Sequence, residues 1–164
     1  MTDPYETWKA QEIRRPLDVP GATPLRWQLE KESEHEDRLM NNRLPDDYPH
    51  PVERGTAADA LAVIALRESI RRDMENGRAV RVREALELGA TWSEVAAALD
   101  VQPDDARELL RAWAGLQHQL HRRDVADGRD RPLGLDDQGH AAVLALCELG
   151  DDESAGTREE VAAR

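Results

Sequence analysis

Residues 91–111, TWSEVAAALDVQPDDARELLR, decide the fold, because they read as two helices around a three-residue turn, a helix-turn-helix. Thr91 and Glu94 have capping-box spacing, in which each side chain satisfies a free backbone N–H of the other residue. Asp100 stands where the chain must leave the first helix in a left-handed conformation, tolerated best by Gly and next by Asn or Asp. Pro103 suits the first turn of the second helix, where its missing N–H is not needed. Asp104 and Asp105 then face the positive end of that helix dipole. Trp92, Val95, Leu99, Val101, Ala106 and Leu109 fall where the helices pack on each other, and Ala96 is the small residue that permits a close crossing.

Working outward, the second helix continues past the motif to about Arg123. Leu109, Trp113, Leu116 and Leu120 recur at spacings of four, three and four, one helical face. That face either packs on the chain's own core or pairs with a second copy or a protein partner. Upstream, a helix is expected after Thr56, with Asp59 three residues on as a second capping candidate. Leu61, Ile64, Leu66, Ile70 and Met74 carry it forward. It either ends at Asn76-Gly77 or, since a single glycine costs only about 1 kcal/mol in a helix, runs on through Gly77, continuous or gently broken, to end at Gly89, which is the favoured reading. Downstream, Val125 to Leu135 reads as a loop and Asp136 to Leu149 as a last helix with Val143, Leu144, Leu146 and Cys147 as its apolar residues. The helical domain is therefore expected over 56–150.

The flanks read differently. Seven prolines between positions 4 and 51 predict an extended N-terminal arm over 1–55, with Leu25 to Met40 the one proline-free stretch. There Leu25, Leu29 and Leu39, with Trp27, form a weak apolar face. Tyr5, Trp8, Trp27 and Tyr48 are anchor points for docking on the chain itself or on a partner. Residues 151–164 read as a disordered acidic tail.

No stretch of Val and Ile alternates with polar residues over a strand's length, so the expected class is all-α: a helix-turn-helix within a small helical bundle. The single cysteine, Cys147, excludes an internal disulfide framework and suits a reducing cytoplasm. The N-terminus has no signal-peptide pattern, and no apolar run approaches the roughly 20 residues that span a bilayer, so a cytoplasmic protein with no membrane contact is expected. Net charge is −12, which opposes a polyanionic partner, but the acidity lies mainly in the flanks. Residues 54–123 carry eleven basic and eleven acidic side chains.

If the motif reads DNA, the first turn of the second helix faces base edges. Gln102 then suits adenine, Arg107 guanine and Arg111 a phosphate. Arg71, Arg78 and Arg81 share a stripe of the preceding helix that either holds phosphates or is a solvated face with pairs such as Arg71 and Glu75. No enzyme is expected. His118, His121 and Asp124 are too few ligands for zinc, and His140 and Cys147 are two helical turns apart, too far for a catalytic pair. No phosphate-cradling loop, nucleophile elbow or metalloprotease motif occurs, and neither metal nor cofactor is expected.

Arg83 to Ala114, REALELGATWSEVAAALDVQPDDARELLRAWA, resembles a helix-turn-helix common in small actinobacterial proteins, where a GAxWxEIAxALGV segment precedes the recognition helix. The matching residues are Gly89, Ala90, Trp92, Glu94, Val95, Ala96, Ala98, Leu99 and Val101, while Asp100 replaces the usual glycine and Pro103, Asp104 and Asp105 replace polar or basic residues. The resemblance implies DNA binding and transcriptional regulation. Two functions thus stand open: a regulator that binds DNA as a dimer or with a partner, and an adaptor whose helix-turn-helix is a structural core.

Overall fold

The computed structural model describes residues 3–156. Among them are six helices and no strand: α1 (Pro4–Ala10), α2 (Leu25–Asn41), α3 (Ala57–Glu87), α4 (Trp92–Leu99), α5 (Pro103–Ala126) and α6 (Asp137–Cys147). A single 3-10 turn covers Pro16–Asp18. The all-α class is as expected, and the chain divides into two compact units at Asn76 and Gly77, inside α3.

The N-terminal unit corrects the expectation of an extended arm over 1–55. Three of its seven prolines begin helices instead of breaking them, while Pro20, Pro45, Pro49 and Pro51 lie outside helices as expected. Pro4 occupies the first turn of α1 behind an Asp3 cap, Pro16 opens the 3-10 turn, and Pro24 immediately precedes α2. Trp8 and Ile13 bury themselves against Ala65 and Leu66 of α3, with Tyr5, Val19 and Trp27 at the edge. Tyr5, Trp8 and Trp27 are thus anchors within their own unit, whereas Tyr48 is 39% exposed.

The buried face of α2 is polar, which overturns the apolar face expected from Leu25 and Leu29; both of those are exposed. Gln28 donates to the Thr23 carbonyl and to Asp73 of α3. Lys31 donates to the carbonyls of Trp8, Lys9 and Gln11, and its ammonium lies 4.7 Å from the Trp8 ring centroid. These carbonyls lie at and just past the C-terminal end of α1, where helical donors run out (Trp8 also receives the Gln11 N–H), so Lys31 caps α1 from α2. Glu32 and Glu36 reach Arg67 of α3. The first half of α3 buries Leu66 together with the smaller Ala62, Val63, Ala65 and Ser69, while Leu61, Ile64 and Met74 are exposed.

Asp59 closes the start of α3. Its carboxylate accepts from the Thr56 N–H and hydroxyl, from Arg38 Nε at 2.7 Å, and lies 2.8 Å from His35 Nδ1. The Thr56 amide above all, then His35 and Arg38, hold its carboxyl far below the usual carboxylate range. A carboxylate whose folded pKa is depressed contributes stability that is complete above its unfolded pKa and is lost as pH falls below it. Asp59→Asn is therefore expected to cost about 1–3 kcal/mol at neutral pH. The gap between wild type and variant should narrow as pH falls below about 4. Thermal melts by circular dichroism from neutral pH to pH 2–3 check this; a gap that stays constant through that acid range contradicts it.

In the C-terminal unit, α5 packs against both α4 and α6. The core joins Ala79, Val82 and Leu86 of α3 to Trp92 and Val95 of α4, Ala106, Leu110 and Ala114 of α5, and Val143 and Cys147 of α6. Leu99, Val101, Leu109 and Trp113 are partly buried at its edge, and Ala96 is buried. The face of α5 that fills the core is centred one residue later than expected, on Leu110 in place of Leu109, and Leu116 is 64% exposed. The loop before α6 presses on α5 at Gly134, whose φ is +86° and where a Cβ would meet the Gln117 carbonyl oxygen at 2.1 Å. Only glycine fits there.

Candidate nucleic-acid interface

Each local device of the motif takes the form its chemistry requires. Thr91 and Glu94 make both bonds of the capping box, Asp100 is left-handed at φ 56° and ψ 46°, and Pro103 opens α5. Trp92 is fully buried, with its indole N–H donating to the Leu146 carbonyl at 2.9 Å.

Arg107, the side chain expected to read guanine, does not face solvent. It is 8% exposed, and its guanidinium carbon lies 5.3 Å from the Trp92 ring centroid. Nη1 donates to Asp104 at 3.0 Å, and Nη2 donates to the Leu149 carbonyl at 3.0 Å and to Asp151. A guanidinium with that many partners already has its planar fork matched inside the protein. Arg111, half-buried, donates to Glu148 at 3.2 Å.

These bonds correct the expectation of a free acidic tail from 151 onward. Asp151 receives Arg107, and its carbonyl accepts from the Ser93 N–H at 2.9 Å. Asp152 accepts from the Ser93 hydroxyl at 2.7 Å, and Ala155 packs at the core edge. Residues 151–156 are thus part of the helix-turn-helix unit; residues 157–164 of the expected tail lie outside the described residues.

From the turn to Leu110 the exposed side chains are Asp100, Gln102, Asp104, Asp105 and Glu108, with Arg111 half-buried beyond them. Neither known family, nor curated protein, nor solved structure matches this chain. On that face Gln102 lies in sequence between Asp100 and the Asp104-Asp105 pair, exposed carboxylates that repel phosphate.

The arginine stripe of α3 is also engaged. Arg71 bonds Glu68 and lies 2.6 Å from Glu75, and Arg81 pairs with Glu84. Arg71 and Arg72 together hold the Glu68 carboxyl at about 2. Arg78 is exposed. The solvated-face reading of this stripe therefore fits the pairing better than a phosphate clamp.

Elsewhere, His118 stacks on His140 at 4.4 Å between centroids and contacts the Leu135 carbonyl, while Asp124 accepts from the Leu133 N–H and pairs with Arg129. Among the described residues no group of three or more His, Cys, Asp or Glu is placed to hold a metal ion. Burial raises the pKa of the Cys147 thiol, which disfavours the reactive thiolate. No described helix is long and apolar enough to cross a membrane.

Sequence reasoning found the motif but missed Asp151 and Leu149 as partners of Arg107, and His35, Arg38 and Asp59 as a cluster. Asp59 carried a signal, its capping position; the others carried none, because their partners are distant in sequence.

Proposed function

We propose that the chain is a non-catalytic, cytoplasmic protein-interaction adaptor, in which the helix-turn-helix is a scaffold and not a reader of DNA. The observation that carries this is the burial of Arg107 in a network of Asp104, Asp151, Leu149 and Trp92. With that cation turned inward, the outer surface of the motif is acidic, and its complement is a basic segment of a protein partner. Resemblance to actinobacterial helix-turn-helix proteins then reflects a shared scaffold, and any effect on transcription runs through the bound protein.

Asp105→Arg with Glu108→Arg tests this, since both residues are exposed and outside the Arg107 network. Immobilised wild type is expected to retain a salt-sensitive, nuclease-resistant set of proteins from lysate of the source cell, and the double variant to lose it. Retention that ignores the charge reversal, or that vanishes on nuclease treatment, contradicts the proposal.

A further inference from the structure

We propose that a cleft in the N-terminal unit, walled by the end of α1 and by α2 and α3, binds a small organic carboxylate with an apolar body. Its volume is about 490 Å³, within the roughly 300–1,000 Å³ typical of small-molecule sites. Residues 1–76 carry sixteen acidic and eleven basic side chains, yet the lining of this cleft reverses that balance, with four Lys or Arg side chains against three carboxylates.

The floor consists of Lys31, His35 and Arg38 with Asp59. Lys31 is 6% exposed, and its three hydrogen bonds all go to carbonyl oxygens, none to a carboxylate. Arg38 gives Nε to Asp59 at 2.7 Å and places Nη2 2.7 Å from His35 Nδ1. Its Nη1 comes only to 4.0 Å of Glu53, whose side chain is 84% exposed. His35 Nδ1 is taken up by Asp59 and Arg38, which leaves Nε2 as its remaining polar atom. At the rim, Glu34 faces Lys9 at 3.9 Å and Glu12 faces Arg14 at 2.7 Å, so the rim carboxylates are already matched.

The apolar part of the lining is built from Ile13 and Ala62, each 2% exposed, and from Leu61, which is 54% exposed. Arg38 Nη1, whose nearest carboxylate is Glu53 at 4.0 Å, is the donor left to meet a carboxylate oxygen, and the buried Lys31 charge adds a favourable field. A phosphate offers more oxygens than this donor satisfies, and an alcohol lacks the charge that the Lys31 and Arg38 cations would stabilise. The cleft's amphipathic walls call for a ligand with both parts.

Hexanoate is the probe, titrated calorimetrically into the full chain, with hexanol and inorganic phosphate in parallel. One saturable hexanoate site is expected, with no binding of hexanol or phosphate. Arg38→Gln should weaken hexanoate by about tenfold or more, the loss of one charge-assisted hydrogen bond. Because Arg38 also holds Asp59, Leu61→Glu is the deciding variant: it places a carboxylate in the lining at an exposed position and should abolish binding with the circular dichroism spectrum unchanged. Absence of saturable hexanoate binding, equal binding of hexanol or phosphate, or full affinity in Leu61→Glu would each overturn the proposal.

Discussion

Trp92→Ala is expected to destabilise the C-terminal unit by about 3–5 kcal/mol. The indole is wholly buried among residues of α3, α5 and α6, so truncation leaves a large cavity in a close-packed core. It also strands the Leu146 carbonyl, which accepts the indole N–H, and removes the ring beneath Arg107. Trp92→Phe keeps most of the volume and loses the hydrogen bond, so its cost should fall to about 1–2 kcal/mol. Urea unfolding followed by far-UV circular dichroism measures both. Equal costs for the two variants would mean that packing contributes little, contrary to the burial of this side chain.

Arg107→Ala is expected to cost about 2–3 kcal/mol, a large effect for a charged residue on a recognition helix. The sum is smaller than for a stranded buried charge, because the carboxylates left behind reach solvent: the Asp104 side chain is 96% exposed and that of Asp151 54%. What is lost is the bond to Leu149, the stacking on Trp92, and the tie that holds residues 149–151 to α5. Arg107→Lys should rescue little, since a single ammonium does not reproduce the planar fork that spans these partners. A base-reading arginine would behave in the opposite way, with stability unchanged. Denaturant melts of the three proteins separate the cases, and an Arg107→Ala variant as stable as wild type contradicts the buried network.

The motif was legible because its determinants are local. A capping box, a left-handed Asp100 and a proline at a helix start act within a few residues, and each takes its expected geometry. The register of α5 was less legible, because Ala106 and Ala114 flank Leu110 on the buried face and apolar periodicity weighs the larger Leu109 and Leu116 more heavily. Periodicity served poorly for α2: Trp27 packs at the core edge, but Leu25 and Leu29 are exposed, and the fully buried side chains are Gln28 and Lys31, with hydrogen bonds and ion pairs to α3. Counting prolines misled because Pro4, Pro16 and Pro24 stand at helix starts, where a missing N–H is harmless. The role of Arg107 was hidden for another reason: Leu149 and Asp151 lie more than forty residues away, and no local pattern announces them.

Whether the motif reads DNA is tested most directly by titrating ¹⁵N-labelled protein with a pool of genomic duplex fragments at low salt, following the amides of residues 100–111 and the Arg107 Nη–H groups. The buried network predicts that these signals stay in place, with the Arg107 Nη–H groups protected from exchange throughout. Salt-dependent shifts concentrated at Gln102, Arg107 and Arg111 would contradict it and restore the helix-turn-helix as a DNA-reading element.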